Sequence, residues 1–157
     1  ALRGDHLAGR YGARVIITGG PGDGAEAEAV ADASYHRPAV LAGRTSFGVL
    51  AALLERCRFA VGTDNGAMHL ATARGVPTLR LFGPVDPLTW GGWAGPSIDA
   101  VVAPALACAP CHRLDLPPWE VASHSAEVAY PCMRDVSVEQ VIAVVERLWS
   151  STADRRT

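Results

Sequence analysis

The sequence contains no lysine. All fourteen basic residues are arginine, which reflects genome composition rather than chemistry. Sixteen acidic residues set against them leave a formal net charge of −2. That balance gives no electrostatic case for binding nucleic acid or an anionic membrane surface. Aromatic residues make up only 6% of the chain. No apolar run approaches the ~20 residues that span a bilayer, so no transmembrane segment is expected. No signal peptide is visible, and Ala1 suggests that the true start lies upstream. There is no Gly-Lys-Ser/Thr, which excludes P-loop phosphate chemistry. No internal repeat or low-complexity linker interrupts the chain. What is present is a globular composition, 49% hydrophobic and 19% charged over 157 residues. That length suits one domain with its own core.

Apolar runs and turn residues alternate along the chain. Residues 1–11 read as the tail of a helix ended by Gly12, and Arg14 to Thr18 as a β-branched strand. Gly19 to Gly24 is a turn and Ala25 to Ala31 a helix, the strand–glycine loop–helix unit of a nucleotide-binding α/β fold without a clean dinucleotide fingerprint. A short strand at Ala39 to Ala42 leads to a helix from Phe47 to Arg56, capped by Thr45 or Ser46, with apolar Phe47, Leu50, Leu53 and Leu54 on one face. Phe59 to Val61, Thr78 to Phe82 and Ile98 to Val102 read as further strands, and Leu88 to Gly95 as a loop with Trp90 and Trp93 as packing anchors. Residues 103–131 read as an extended loop. Ser137 and Gln140 form a capping box for a final helix that buries Val141, Val144, Val145 and Leu148. The alternation predicts a Rossmann-like parallel sheet with helices on both faces, a domain over 1–150 and a flexible tail over 151–157.

The chain is organised around Val61-Gly-Thr-Asp64-Asn65-Gly66-Ala67-Met-His69-Leu70-Ala71. A strand runs through a polar glycine turn into a helix closed by Gly75 and Pro77. The N–H groups of a helix's first turn lack partners within the helix and carry partial positive charge, so this is an anion site by construction. In parallel sheets, ligands bind beyond the carboxyl ends of the strands. The loops 19–24, 43–46, 63–68 and 83–87 all fall at that edge. Backbone N–H groups of Asn65, Gly66 and Ala67 would hold a diphosphate, with His69 donating to a phosphate oxygen. Asp64 has the wrong sign for phosphate; it orients the turn or meets a sugar hydroxyl, and its plainer role is to cap the helix. Glu26 would accept from ribose hydroxyls, or is simply an exposed helix residue.

After Gly75-Val76-Pro77 comes a strand and then Phe82-Gly83-Pro84-Val85-Asp86-Pro87. The two motifs together, Asp64-x-Gly66-x-x-His69-Leu70-Ala71 and Phe82-Gly83-Pro84-x-Asp86-Pro87, resemble the C-terminal domain of the family 9 glycosyltransferases, the ADP-heptose heptosyltransferases. Asn65, Thr72 and Val85 depart from that pattern, where Ser or Thr, Ala and Thr are usual. The resemblance covers residues 14–149 and implies the C-terminal half of a two-domain GT-B fold, which binds the donor. By the same resemblance Thr45, otherwise a helix cap, borders the nucleobase. The acceptor site and catalytic carboxylate would lie on an N-terminal domain, so no catalytic residue is expected in this chain. The implied function is transfer of a heptose or related sugar from an ADP-sugar to a lipopolysaccharide-type or other glycan acceptor, in the cytoplasm or at the inner face of the plasma membrane. Two alternatives stay open. One is another GT-B enzyme that uses a UDP-sugar, either a transferase or an epimerase. The other is a non-catalytic nucleotide- or metal-binding module.

That last alternative centres on Cys108, Cys111 and Cys132, a single Cys-x-x-Cys with one later cysteine. A structural zinc wants four ligands, and His112 or His124 would have to complete the set. Free thiols or a local disulfide rank ahead of a metal, and no cofactor is expected beyond the nucleotide-sugar co-substrate. Because the cluster follows the last strand, it is expected to be dispensable for nucleotide binding. Cys57 reads as a buried thiol.

Overall fold

The computed structural model describes residues 2–95, 99–107, 109–112 and 131–153. The chain divides into two compact units, Ala1–Ala52 and Leu53–Thr157.

The first unit opens with α1 (Leu2–Tyr11), ended by Gly12 in the left-handed region at φ 63°. Then follow β1 (Ile16–Ile17), α2 (Gly24–Asp32) and β2 (Ala39–Val40). The strands pair in parallel, Ile16 with Ala39 and Ile17 with Val40. The loops after them meet. Gly43 N–H donates to Gly19 O at 3.0 Å, and Gly43 holds φ 70° with a Cβ position 3.2 Å from Pro21 Cα, so a side chain there is excluded twice over. Asp5 of α1 accepts the N–H groups of His36 and Tyr35, and these bonds, His36's first, hold its carboxyl below the ordinary value. Among the described residues, this unit buries Ala27, Ala31, Ala42 and Ala51, with Pro38.

Helix α3 (Phe47–Glu55) runs across the division between the units. Its cap is Ser46, whose Oγ accepts from Val49 N–H at 3.3 Å. Ala51 and Leu54 are its buried positions, whereas Phe47, on the apolar face by spacing, is 74% exposed.

The second unit contains a three-stranded parallel sheet of β3 (Ala60–Thr63), β4 (Thr78–Leu81) and β5 (Asp99–Val102), with β4 in the centre. All four β4 residues are buried. That is expected of a central parallel strand, except that one of them is Arg80. Between β3 and β4 lies α4 (Gly66–Ala73), followed by Gly75 at φ 68°. The segment expected as a loop after β4 contains a short helix, α5 (Pro87–Trp90), capped by Asp86, which accepts from Leu88 N–H. A second short helix, α6 (Pro131–Asp135), precedes α7 (Val138–Ser151). Ser137 and Gln140 form the expected capping box, and Val141, Val144, Val145 and Leu148 are buried. The tail begins later than expected: Ser151 closes α7, and Thr152 is buried with its hydroxyl on Leu148 O. Residues 154–157 of that tail lie outside the described residues, as does most of the loop expected over 103–131.

One contact clasps α7 to the residues before β3. The Arg58 guanidinium lies 3.9 Å over the Trp149 ring, its Nε donates to Thr152 Oγ1 at 2.9 Å, and its Nη2 donates to Trp149 O.

Candidate functional site at the carboxyl edge of the second sheet

Arg80 governs the local geometry. Register places it beside Gly62 of β3, and its side chain is fully buried. A buried cation must be paired and hydrogen-bonded. One prong of the guanidinium is anchored on α4: Nη2 donates to Thr72 Oγ1 at 2.7 Å and to Met68 O at 3.2 Å. The other prong, Nη1, meets Asp64 Oδ1 at 3.3 Å and the His69 ring, 3.1 Å from Nδ1 and 3.3 Å from Nε2. An in-plane hydrogen bond would bring the donor close to one ring nitrogen and leave the other well behind. Near-equal distances place Nη1 against the ring face instead. His69 Nε2 in turn lies 3.2 Å from Asp64 Oδ1. On the ring's outer side, Trp93 stacks with it at 5.8 Å between centroids and an 11° interplanar angle.

The turn itself is organised by Asn65. It takes an extended φ of −162°, and its Oδ1 accepts from Ala67 N–H at 3.0 Å and Met68 N–H at 3.2 Å. The cap is therefore Asn65, not Asp64. The Ala67 N–H, assigned by the sequence reading to a diphosphate, donates to that cap. Gly66 is not in the left-handed region, and a Cβ built on it meets nothing within 4 Å.

Beyond the ends of β3 and β4 lies a cleft of about 330 Å³. Its walls are apolar: Leu81, Pro84, Val85, Trp90 and Met133. Thr63 and Asp64 are the polar side chains that line it. Met133 arrives from α6, which packs on the glycine after β4: a Cβ at Gly83 would stand 2.8 Å from Met133 Sδ and 3.5 Å from Cys132 Sγ. His112 N–H donates to Pro84 O at 2.7 Å on the same corner. The described ends of the cysteine-bearing segment, His112 on one side and Cys132 with Met133 on the other, thus lie against the site, although they follow the last strand in sequence.

Residues 6–117 match the family model of glycosyltransferase family 9 (heptosyltransferase). The chain belongs to that family. Among family 9 proteins, it is 32% identical over 91 residues to a lipopolysaccharide heptosyltransferase 3 of Escherichia coli, covering 56% of this chain and 27% of that protein. It is 27% identical over 108 residues to the lipooligosaccharide heptosyltransferase 2 of Campylobacter jejuni, covering 69% and 31%. The crystal structure of a family 9 glycosyl transferase from Veillonella parvula superposes with a TM-score of 0.72 at 28% identity, covering 94% of this chain and 40% of that one. The chain thus spans less than a third of the length of these curated relatives. Parallel sheets flanked by helices, with this neighbour, make the fold a GT-B-like α/β fold.

Of the family 9 positions anticipated from sequence, Asp64, Asn65, Gly66, Ala67 and His69 come together in one turn. Glu26, exposed in the first turn of α2, and Thr45, half-buried before α3, belong to the first unit. Neither caps a helix. Arg80, whose only sequence signal is a lone charge in the apolar run 78–82, and the cleft residues Trp90 and Met133 are not among the positions that the motifs single out. Trp90 and Trp93 are not buried anchors but 51% and 69% exposed. Cys108 lies outside the described residues, Cys111 is an exposed free thiol and Cys132 is buried. Cys57 is half-buried, and burial pushes its thiol up. Among the described residues, no group of three or more His, Cys, Asp or Glu is placed to hold a metal, and no helix is long and apolar enough to cross a membrane.

Proposed function

We propose that this chain is the donor-binding part of a glycosyltransferase that takes a heptose or related sugar from an ADP-sugar and passes it to a lipopolysaccharide-type glycan. The observation that carries this is the cleft: apolar walls with two convergent polar side chains, Thr63 and Asp64, at the N-terminus of α4. A sugar ring has the matching character, with C–H faces for Trp90 and Met133 and hydroxyls for Asp64 and Thr63. The diphosphate belongs at the backbone around Gly66, where the helix dipole favours negative charge. Transfer joins the acceptor hydroxyl oxygen to the anomeric carbon and breaks that carbon's bond to ADP. The acceptor's proton goes to a base outside the cleft described, by family resemblance a carboxylate on an N-terminal domain. The reaction belongs to the cytoplasm, at the inner face of the membrane that holds the acceptor. Titration calorimetry of the chain with ADP, UDP and GDP tests the donor reading. ADP is expected to bind in preference to the other two; preference for UDP would move the chain to a UDP-sugar enzyme of the same fold.

A further inference from the structure

We infer that Arg80 is a positioning residue: it holds Asp64 and His69 so that Asp64 presents one carboxylate oxygen to the sugar. Both contacts to Asp64, from Arg80 Nη1 at 3.3 Å and His69 Nε2 at 3.2 Å, fall on Oδ1. Among the described residues Oδ2 receives no hydrogen bond, and Asp64 lines the cleft. Oδ1 is thereby turned toward the protein and Oδ2 is left to accept from a ligand hydroxyl. His69 is not among the cleft-lining residues. Its ring stands between the Arg80 prong and Trp93, and with hydrogen on Nε2 it donates to Asp64 Oδ1. In this arrangement His69 braces the carboxylate rather than donating to phosphate.

The brace works because Arg80 is anchored elsewhere. Nη2 is held by Thr72 Oγ1 and Met68 O, so the planar fork cannot swing, and Nη1 stays where Asp64 and His69 need it. A lysine ammonium has one nitrogen and cannot occupy both places.

The ligand half of this inference rests on the donor reading above; the positional half is readable without ligand. The experiment uses the 157-residue chain, wild type and with Arg80→Met, Arg80→Lys or Thr72→Val. Long-range imidazole ¹⁵N–¹H spectra, with His69 assigned through His69→Gln, report which ring nitrogen carries hydrogen. Wild type should show hydrogen on Nε2. Arg80→Met should give mixed tautomers, and Thr72→Val, which keeps shape and removes only the anchor, should shift the same way to a smaller degree. In parallel, ADP and ADP-heptose are titrated. Wild type should bind ADP-heptose more tightly than ADP, Arg80→Met should lose most of that preference, about tenfold, and Arg80→Lys should restore part of it. An unchanged His69 spectrum in Arg80→Met, in folded protein by circular dichroism, overturns the positioning role whatever binds. A preference for ADP-heptose that survives in Arg80→Met overturns the sugar-facing role of Asp64. Wild type that binds neither probe overturns the donor reading, and the spectra then decide the positioning role by themselves.

Discussion

Gly66 and Gly75 bracket α4 and carry different constraints. Gly75 holds φ 68°, whereas Gly66 has ordinary geometry and open space around its Cβ position. Gly75→Ala should therefore cost roughly 1–2 kcal/mol through backbone strain alone. Gly66→Ala should leave stability within about 0.5 kcal/mol, as read from urea denaturation midpoints. If Gly66→Ala also weakens ADP binding, the loss comes from blocked approach of the ligand rather than from refolding of the turn. At this scale the sequence was legible where residues act by spacing: Asp64 and His69 follow from the motif. Arg80 was not, because one arginine in a strand has no period. Its role depends on β4 lying in the sheet's centre and on Thr72 standing across from it.

The N-terminus of α4 makes the next prediction. Asn65→Asp keeps a capping oxygen for Ala67 and Met68, so helix stability should hold, Asp and Asn being about equal as caps. The added carboxylate stands where phosphate would approach, and ADP affinity in calorimetry should fall, most steeply at low salt. Unchanged affinity would place the phosphate elsewhere. Elements with strong periodicity or paired caps were legible from sequence, α7 and its Ser137–Gln140 box above all. For α5, Asp86 followed by Pro87 is a start signal, but the Trp and Gly residues after it carry the composition of a loop. α6 is five residues long, too short for any period. Phe47 fits the apolar face of α3 by spacing and is nonetheless exposed, because periodicity says which side is apolar and not what covers it.

Across the whole molecule the two units differ in what they bury. Among the described residues the first buries alanines and Pro38, while the second buries Val76, Leu79, Phe82, Val141 and Val145. At ~0.8 kcal/mol per buried CH₂, the first core has far less to resist local opening. Hydrogen exchange should accordingly be fastest in β1 and β2 and slowest in β4. The amides of Tyr35 and His36 are a special case. Their acceptor, Asp5, has a lowered value, so the stability it contributes is complete above the ordinary 3.8 and is lost as pH falls through the lowered value. Protection of those two amides should fade only in acid below 3.8. The contact of Arg58 with Trp149 and Thr152 has a consequence in time rather than in energy. Arg58 and Trp149 are 91 residues apart, so the chain must close a long loop before they meet, and closures of that length come late in folding. Truncating Arg58 to alanine should leave the refolding limb of a chevron almost where it was and raise the unfolding limb. The clasp would then set how long the folded molecule lasts and have little bearing on how fast it is made.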